Sequence, residues 1–163
     1  MSNSLMQDSS NLNDEILAAI EEFLGYTFPK PYREFLLKKN GVRRVEKLFF
    51  FRDHPQEGSC LDSLFGVYKD FNNNLLVRLK YLGDRIPSNM TPIGRDVYGN
   101  LILLAVKGLD RGKIYFWDHE LEADPAQGER PDYSNLTLIA DSFSDFMDGL
   151  SDIEAVEDDD RGA

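Results

Sequence analysis

Ile16, Leu17, Ile20, Phe23 and Leu24 recur three and four residues apart, the spacing that places apolar side chains on one face of a helix. Asn13 or Asp14 can cap the first N–H groups of that helix, and Gly25 can take the left-handed conformation that ends it. After Tyr26-Thr27-Phe28-Pro29, Pro31 falls in a first helical turn, where its missing N–H breaks no intrahelical bond. Tyr32, Phe35 and Leu36 form the stripe of this second helix, closed by Asn40-Gly41. Leu48 to Phe51 reads as a short strand and the Glu57-Gly58-Ser59 region as a loop. Asn72 to Asn74 then offers caps for a third helix that buries Leu75, Leu76, Leu79 and Leu82 and stops at Gly83, before Pro87.

Beyond Pro87 the helical period gives way to short apolar or alternating runs. Pro92 to Asp96, Leu101 to Val106, Lys113 to Asp118 and Leu136 to Ala140 are separated by Tyr98-Gly99-Asn100, by Gly108 to Gly112, and by a long Pro/Gly loop from Leu121 to Asn135. These predict a meandering antiparallel sheet. Asp141 or Ser142 then caps a last helix with Phe143, Phe146, Met147 and Leu150 on one face, and Ser142 with Asp145 resembles a capping box. The expected fold class is α+β, a single domain over residues 13–153 with helices packed on one face of the sheet. Residues 1–12 and 154–163, polar or acidic and poor in apolar side chains, are expected to be disordered tails.

Charge changes this picture more than bulk composition does. The 163 residues carry a net charge of −11, of which residues 141–163 hold −8, while Lys30 to Arg52 is a local +6. The basic stretch is interleaved with Phe and Leu, which indicates elements with solvated outer faces, and an acidic chain repels phosphate at long range; no nucleic-acid partner is expected. The longest apolar runs, such as LILLAV, are too short for a bilayer, and MSNSLMQDSSNLND is unlike a signal or transit peptide. One cysteine, Cys60, cannot form an internal disulfide and suits a reducing compartment, so the cytoplasm is the expected location.

The one dense group of chemically active side chains is Asp118-His119-Glu120, at the end of the aromatic run Tyr115-Phe116-Trp117. With only His54, His119 and Cys60 as nitrogen or sulfur ligands, no metal site is expected. Continued as a strand, the segment would put Asp118 and Glu120 on one side and His119 on the other, so the three would not converge. Cys60, in GSCLDSLFG, has no adjacent histidine and reads as a buried or loop cysteine rather than a nucleophile. Gly94 and Gly99 lack the strand–loop–helix order of a phosphate-binding loop, and no cofactor is implied. Trp117 is read as a core or cross-strand residue, the alternative being an exposed stacking or binding residue.

Four segments, FPKPYREFLLKKNG, IPSNMTPIGRDVYGNLILLAV, GKIYFWDHE and LTLIADSFSDFMDGL, in that order and spacing, resemble the SUKH superfamily, named in part for yeast cell-wall and killer-toxin-resistance regulators. The resemblance runs from about Asp14 to Leu150. It implies a single α+β domain with no known catalysis, most often a bacterial immunity protein that binds and neutralises a polymorphic toxin, commonly a nuclease; eukaryotic relatives act as regulatory scaffolds. Where the family pattern leads one to expect a double glycine after the second helix, this chain has Asn40-Gly41-Val42-Arg43-Arg44.

Three functions are therefore open: an immunity protein whose cognate toxin is encoded by an adjacent gene, a regulatory interaction module for an endogenous partner, and, last in rank, a small hydrolase using Asp118, His119 and Asp96. For a basic toxin surface the candidate contact patch is Asp118, Glu120, Glu122 and Asp124, the most concentrated acidic group inside the expected domain. The oligomeric state does not follow from the sequence.

Overall fold

A computed structural model of the chain describes residues 12–68 and 73–153. Helix α1, Asp14–Leu24, begins where Asn13 Oδ1 accepts the Ile16 N–H at 2.8 Å and ends at Gly25, whose φ is 84°. Its buried face is rotated from the predicted stripe: Leu17 and Glu21 are buried, whereas Ile16 and Phe23 are exposed. Glu21 causes the rotation. Its carboxylate accepts the Phe28 N–H at 2.7 Å and the Arg33 Nε–H at 2.9 Å, a pair of bonds that fastens α1 to the start of helix α2, Lys30–Lys38. Asn40 and Gly41 close α2 with left-handed φ values of 50° and 94°, so this pair supplies the conformations a double glycine would. The Asn40 amide also pairs with the Val67 backbone, donating to its carbonyl at 2.8 Å and accepting from its N–H at 2.7 Å.

The strands are β1 Lys47–Phe50, β2 Gly58–Leu64, β3 Met90–Asp96, β4 Leu101–Ala105, β5 Ile114–Trp117, β6 Leu136–Ala140 and β7 Ser151–Asp152. They form one antiparallel sheet in the order β6-β5-β4-β3-β2-β1-β7, the predicted four-run meander of β3 to β6 extended by β2, β1 and the short β7. Gly58 and Ser59, expected in a loop, instead begin strand β2, whose remaining residues the sequence pattern left unassigned. Its period is broken by a bulge between Leu61 and Ser63, which hides the alternation, and Gly58 lies so close to Phe49 that a Cβ would fall 1.9 Å from that carbonyl oxygen. The sheet curls on itself. Just beyond β1, the Arg52 N–H donates to Leu138 O in β6 at 3.0 Å, and the rings of Phe49 and Phe51 lie 6.1 Å and 5.2 Å from that of Phe116, although three strands separate β1 from β5.

Helix α3, Leu75–Leu82, is capped by Asn74 as expected, although only Leu75 and Leu82 of its four leucines are fully buried. Helix α4, Phe143–Asp148, is capped by Ser142 Oγ, which accepts the Asp145 N–H at 3.0 Å. Phe143 and Phe146 of α4 meet Tyr32, Phe35 and Phe49, so α2 and α4 cover the concave face that carries Phe116. The cover is fuller than a single helical layer. Arg85, just past α3, lies over the ring of Trp117, and Trp117 pairs with Leu101 across the strands; side chains alternate, so α3 covers the face opposite Phe116. Strand β4 is accordingly buried at all five positions, which explains its unbroken LILLA run.

Trp117 is 2% exposed and belongs to the core, which decides between its two readings. Leu12, one residue before the expected start of the domain, is buried in the same core. The rest of both predicted tails, residues 1–11 and 154–163, lies outside the described residues. Among the described residues no helix is long and apolar enough to cross a membrane.

Candidate partner-binding surface

The acidic cluster at the end of β5 owes its shape to one side chain. Asp118 accepts the Glu120 N–H at 3.0 Å, which ends the strand at Trp117 and turns His119–Leu121 into a short 3-10 helix. The expected strand geometry is therefore replaced by a turn, and Asp118 and Glu120 no longer lie as alternate residues on one sheet face. His119 is held beside the β3–β4 turn: its N–H donates to Asn100 Oδ1 at 3.1 Å, and its Nδ1 lies 2.6 Å from the same oxygen. That distance makes Nδ1 the protonated nitrogen when the ring is neutral, since an amide oxygen only accepts.

The three residues of the hydrolase reading do come together. Asp96, Asp118 and His119 line one open depression of about 530 Å³, with Phe51 and Phe116 forming its aromatic wall. Asp96 is nevertheless fully engaged. At 2% exposure it accepts hydrogen bonds from Ser59 Oγ at 2.7 Å, the Tyr98 N–H at 2.9 Å, the Asn100 N–H at 2.8 Å and Asn100 Nδ2 at 3.0 Å. A carboxylate that closes a turn with four donors is a structural clamp rather than a free base. Cys60 sits half-buried in β2, where desolvation first, and then the negative charges of Asp62, Glu46 and Asp96, raise its thiol pKa and disfavour the thiolate. Among the described residues no three His, Cys, Asp or Glu side chains are placed to hold one ion.

The four acids of the candidate patch divide into two pairs. Asp118 and Glu120 border the depression just described. Glu122 and Asp124 instead line a wider open groove of about 1070 Å³ between the turn at 83–88 and the loop at 122–131. Glu122 is held there by Arg85, which donates from Nε at 3.0 Å and from Nη2 at 2.9 Å in a two-pronged pair. Asp124 caps the next short turn, Pro125–Gln127, by accepting the Ala126 N–H at 3.0 Å. Glu120 is exposed and has no side-chain partner among the described residues.

A third hollow, about 240 Å³, lies on the other face of the sheet, floored by Leu101 and Trp117 and bordered by Arg78, Tyr81 and Arg85. The two hollows share His119 as their common wall. Sequence spacing did not reveal Phe51, Ser59, Tyr81, Arg85 or Tyr98 as members of this surface, because they arrive from different elements. The exposed aromatics Tyr81 and Tyr98, 67% and 73% accessible, were the available signal, since large apolar side chains left at the surface in one region mark contact sites.

The chain is similar to YokK, an SPbeta prophage-derived uncharacterized protein of Bacillus subtilis (strain 168), with 31% identity covering 93% of this chain and 82% of that protein. The model of the SMI1/KNR4 family (SUKH-1) matches residues 11–149, which include all the helices described and six of the seven strands, and the chain belongs to that family.

Proposed function

We propose that this chain is a non-enzymatic protein-binding domain, an immunity protein that binds and neutralises a cognate bacterial toxin encoded by an adjacent gene. The carrying observation is membership of the SUKH-1 family across residues 11–149. A relative of prophage origin supports a bacterial setting for this reading. The site chemistry supports it as well: Asp96 is consumed by a turn, His119 is tied to Asn100, and the same region presents Tyr81, Tyr98 and Leu121 to solvent beside carboxylates. Aromatic side chains ringed by polar groups are what a protein interface uses as anchors. In this reading Asp118, Glu120, Glu122 and Asp124 form the acidic contact surface, the partner is basic, and the complex forms in the cytoplasm.

The test is co-expression with the protein encoded by the neighbouring gene. Growth arrest by that protein alone, relieved by this chain through a stoichiometric complex, is the expected outcome. A neighbour that is harmless, or that stays toxic in the presence of this chain, refutes the immunity reading. A harmless neighbour that still binds tightly would point instead to the regulatory module.

A further inference from the structure

The three open hollows differ in the charges of their walls. The groove between residues 84 and 131 carries Arg85 and Arg130 among its acids, and the Trp117 hollow carries Arg78 and Arg85 against Glu122. The depression between the β1–β2 turn, the β3–β4 turn and the end of β5 has no Lys or Arg in its wall, while Asp96, Asp118 and Glu120 all contribute to it. Asp96 adds to the negative field from below, because its four donors are neutral groups that orient the carboxylate without cancelling its charge.

Much of the remaining wall is aromatic, beside Gly58, Ser59, Asn100 and His119. Phe51 and Phe116 are half-buried, with ring centroids 5.2 Å apart, and the exposed Tyr98 stands at the rim. Carboxylates alone would take any cation. An aromatic face beside them favours a planar, weakly hydrated one, because a guanidinium can lie against a ring while its N–H groups meet carboxylate oxygens. Asp118 has one oxygen committed to the Glu120 N–H, which leaves the other available, and Glu120 has both.

We propose that this depression is an arginine-accepting pocket, in which a basic partner protein inserts a guanidinium between the Phe51–Phe116 wall and the carboxylates of Asp118 and Glu120. The proposal rests on the protein-binding reading above and names its anchor point. It also ranks the acidic patch: Asp118 and Glu120 contact the inserted side chain, whereas Glu122, already bridged to Arg85, contributes only to the longer-range field.

The test needs no toxin. A blocked nonapeptide of alternating Gly and Arg is titrated into the isotopically labelled full chain at low salt, in parallel with its Gly-Lys counterpart. Saturable amide shifts concentrated at residues 58–59, 96–100 and 116–120, with the arginine peptide binding at least about threefold tighter, are expected. Glu120→Gln weakens it about threefold, and Tyr98→Ala, a change at an exposed turn, weakens it without altering the rest of the spectrum. Absence of saturable shifts, shifts centred on residues 122–131, or equal binding of the lysine peptide overturns the proposal. A neighbouring-gene toxin that is neutralised while the peptide fails to bind leaves the immunity reading standing without this pocket; peptide binding without neutralisation does the reverse.

Discussion

The β3–β4 turn and the long connection from Asp118 to Asn135 meet at His119, yet they are held by different means. The turn closes on a single buried carboxylate, Asp96, with four donors converging on it. The connection is held piecemeal near the surface: Asp118 and Asp124 cap one short turn each, Asp132 accepts the Ser134 N–H, Arg85 grips Glu122, and Tyr133 donates to Asp110 at 2.6 Å. Removing the buried acceptor leaves four part-buried donors without their common partner, while an exposed cap that is lost is replaced by solvent. Carboxylates of one acidic chain thus differ in consequence according to burial, and the turn should behave as part of the global fold while the connection opens locally.

The floor beneath both regions gives the largest expected effect. Trp117 is buried against Leu101 and α3, so Trp117→Ala should cost about 3–5 kcal/mol and lower soluble yield. Denaturant titration measures it. A loss below about 1 kcal/mol would mean that the ring is not packed as described, and the two regions would lose their shared foundation.

Asp96→Ala comes next and tests the turn directly. Leaving two N–H groups, the Ser59 hydroxyl and the Asn100 amide without their acceptor should cost about 2–3 kcal/mol. On the other side, Glu122→Gln removes the charge from a partly exposed pair with Arg85, and the expected loss is below about 1 kcal/mol and shrinks with added salt. Similar losses for the two variants would erase the distinction between a buried clamp and surface caps.

The same distinction explains how much could be read in advance. Caps and stops act within a few residues, so Asn13 or Asp14, Gly25, Asn72 to Asn74, and Asp141 or Ser142 mark their helices in the sequence, the structure selecting Asn13, Asn74 and Ser142 as caps, and the turns at Tyr98-Gly99-Asn100 and Gly108 to Gly112 separate β3, β4 and β5. Strand β2 was lost because Ser59, Asp62 and Ser63 occupy strand positions and a bulge interrupts the period. The inward turn of Glu21 was equally invisible, since it depends on Phe28 and Arg33 arriving from the next helix. For the surface, residues 118–124 were legible as an acidic run. That Glu122 and Asp124 face a separate groove, and that Phe51 and Ser59 complete the hollow beside Asp118, depends on the curl of the sheet and on chain segments far apart in sequence.

A small effect on the fold, and the sharpest on function, is expected from neutralising the rim. Glu120 and Asp124 are exposed, Glu122 is partly so, and Asn at position 124 still accepts the Ala126 N–H, so Glu120→Gln, Glu122→Gln and Asp124→Asn together should lower stability by no more than about 1 kcal/mol, most of it from the Arg85 pair. Long-range attraction between an acidic surface and a basic partner acts mainly on the rate of encounter, whereas a packed aromatic contact acts on dissociation. The triple variant should therefore associate with the proposed toxin partner more slowly at low ionic strength, with a flatter dependence on salt. Because Asp118 and the Phe51–Phe116 wall are unchanged, dissociation should rise only as far as Glu120→Gln alone raises it. Stopped-flow association across a salt series, run beside the single variant, separates the two contributions. An unchanged association rate and salt slope would remove these three acids from the encounter surface, and would leave any role of this region in binding to Asp118 and the aromatic side chains.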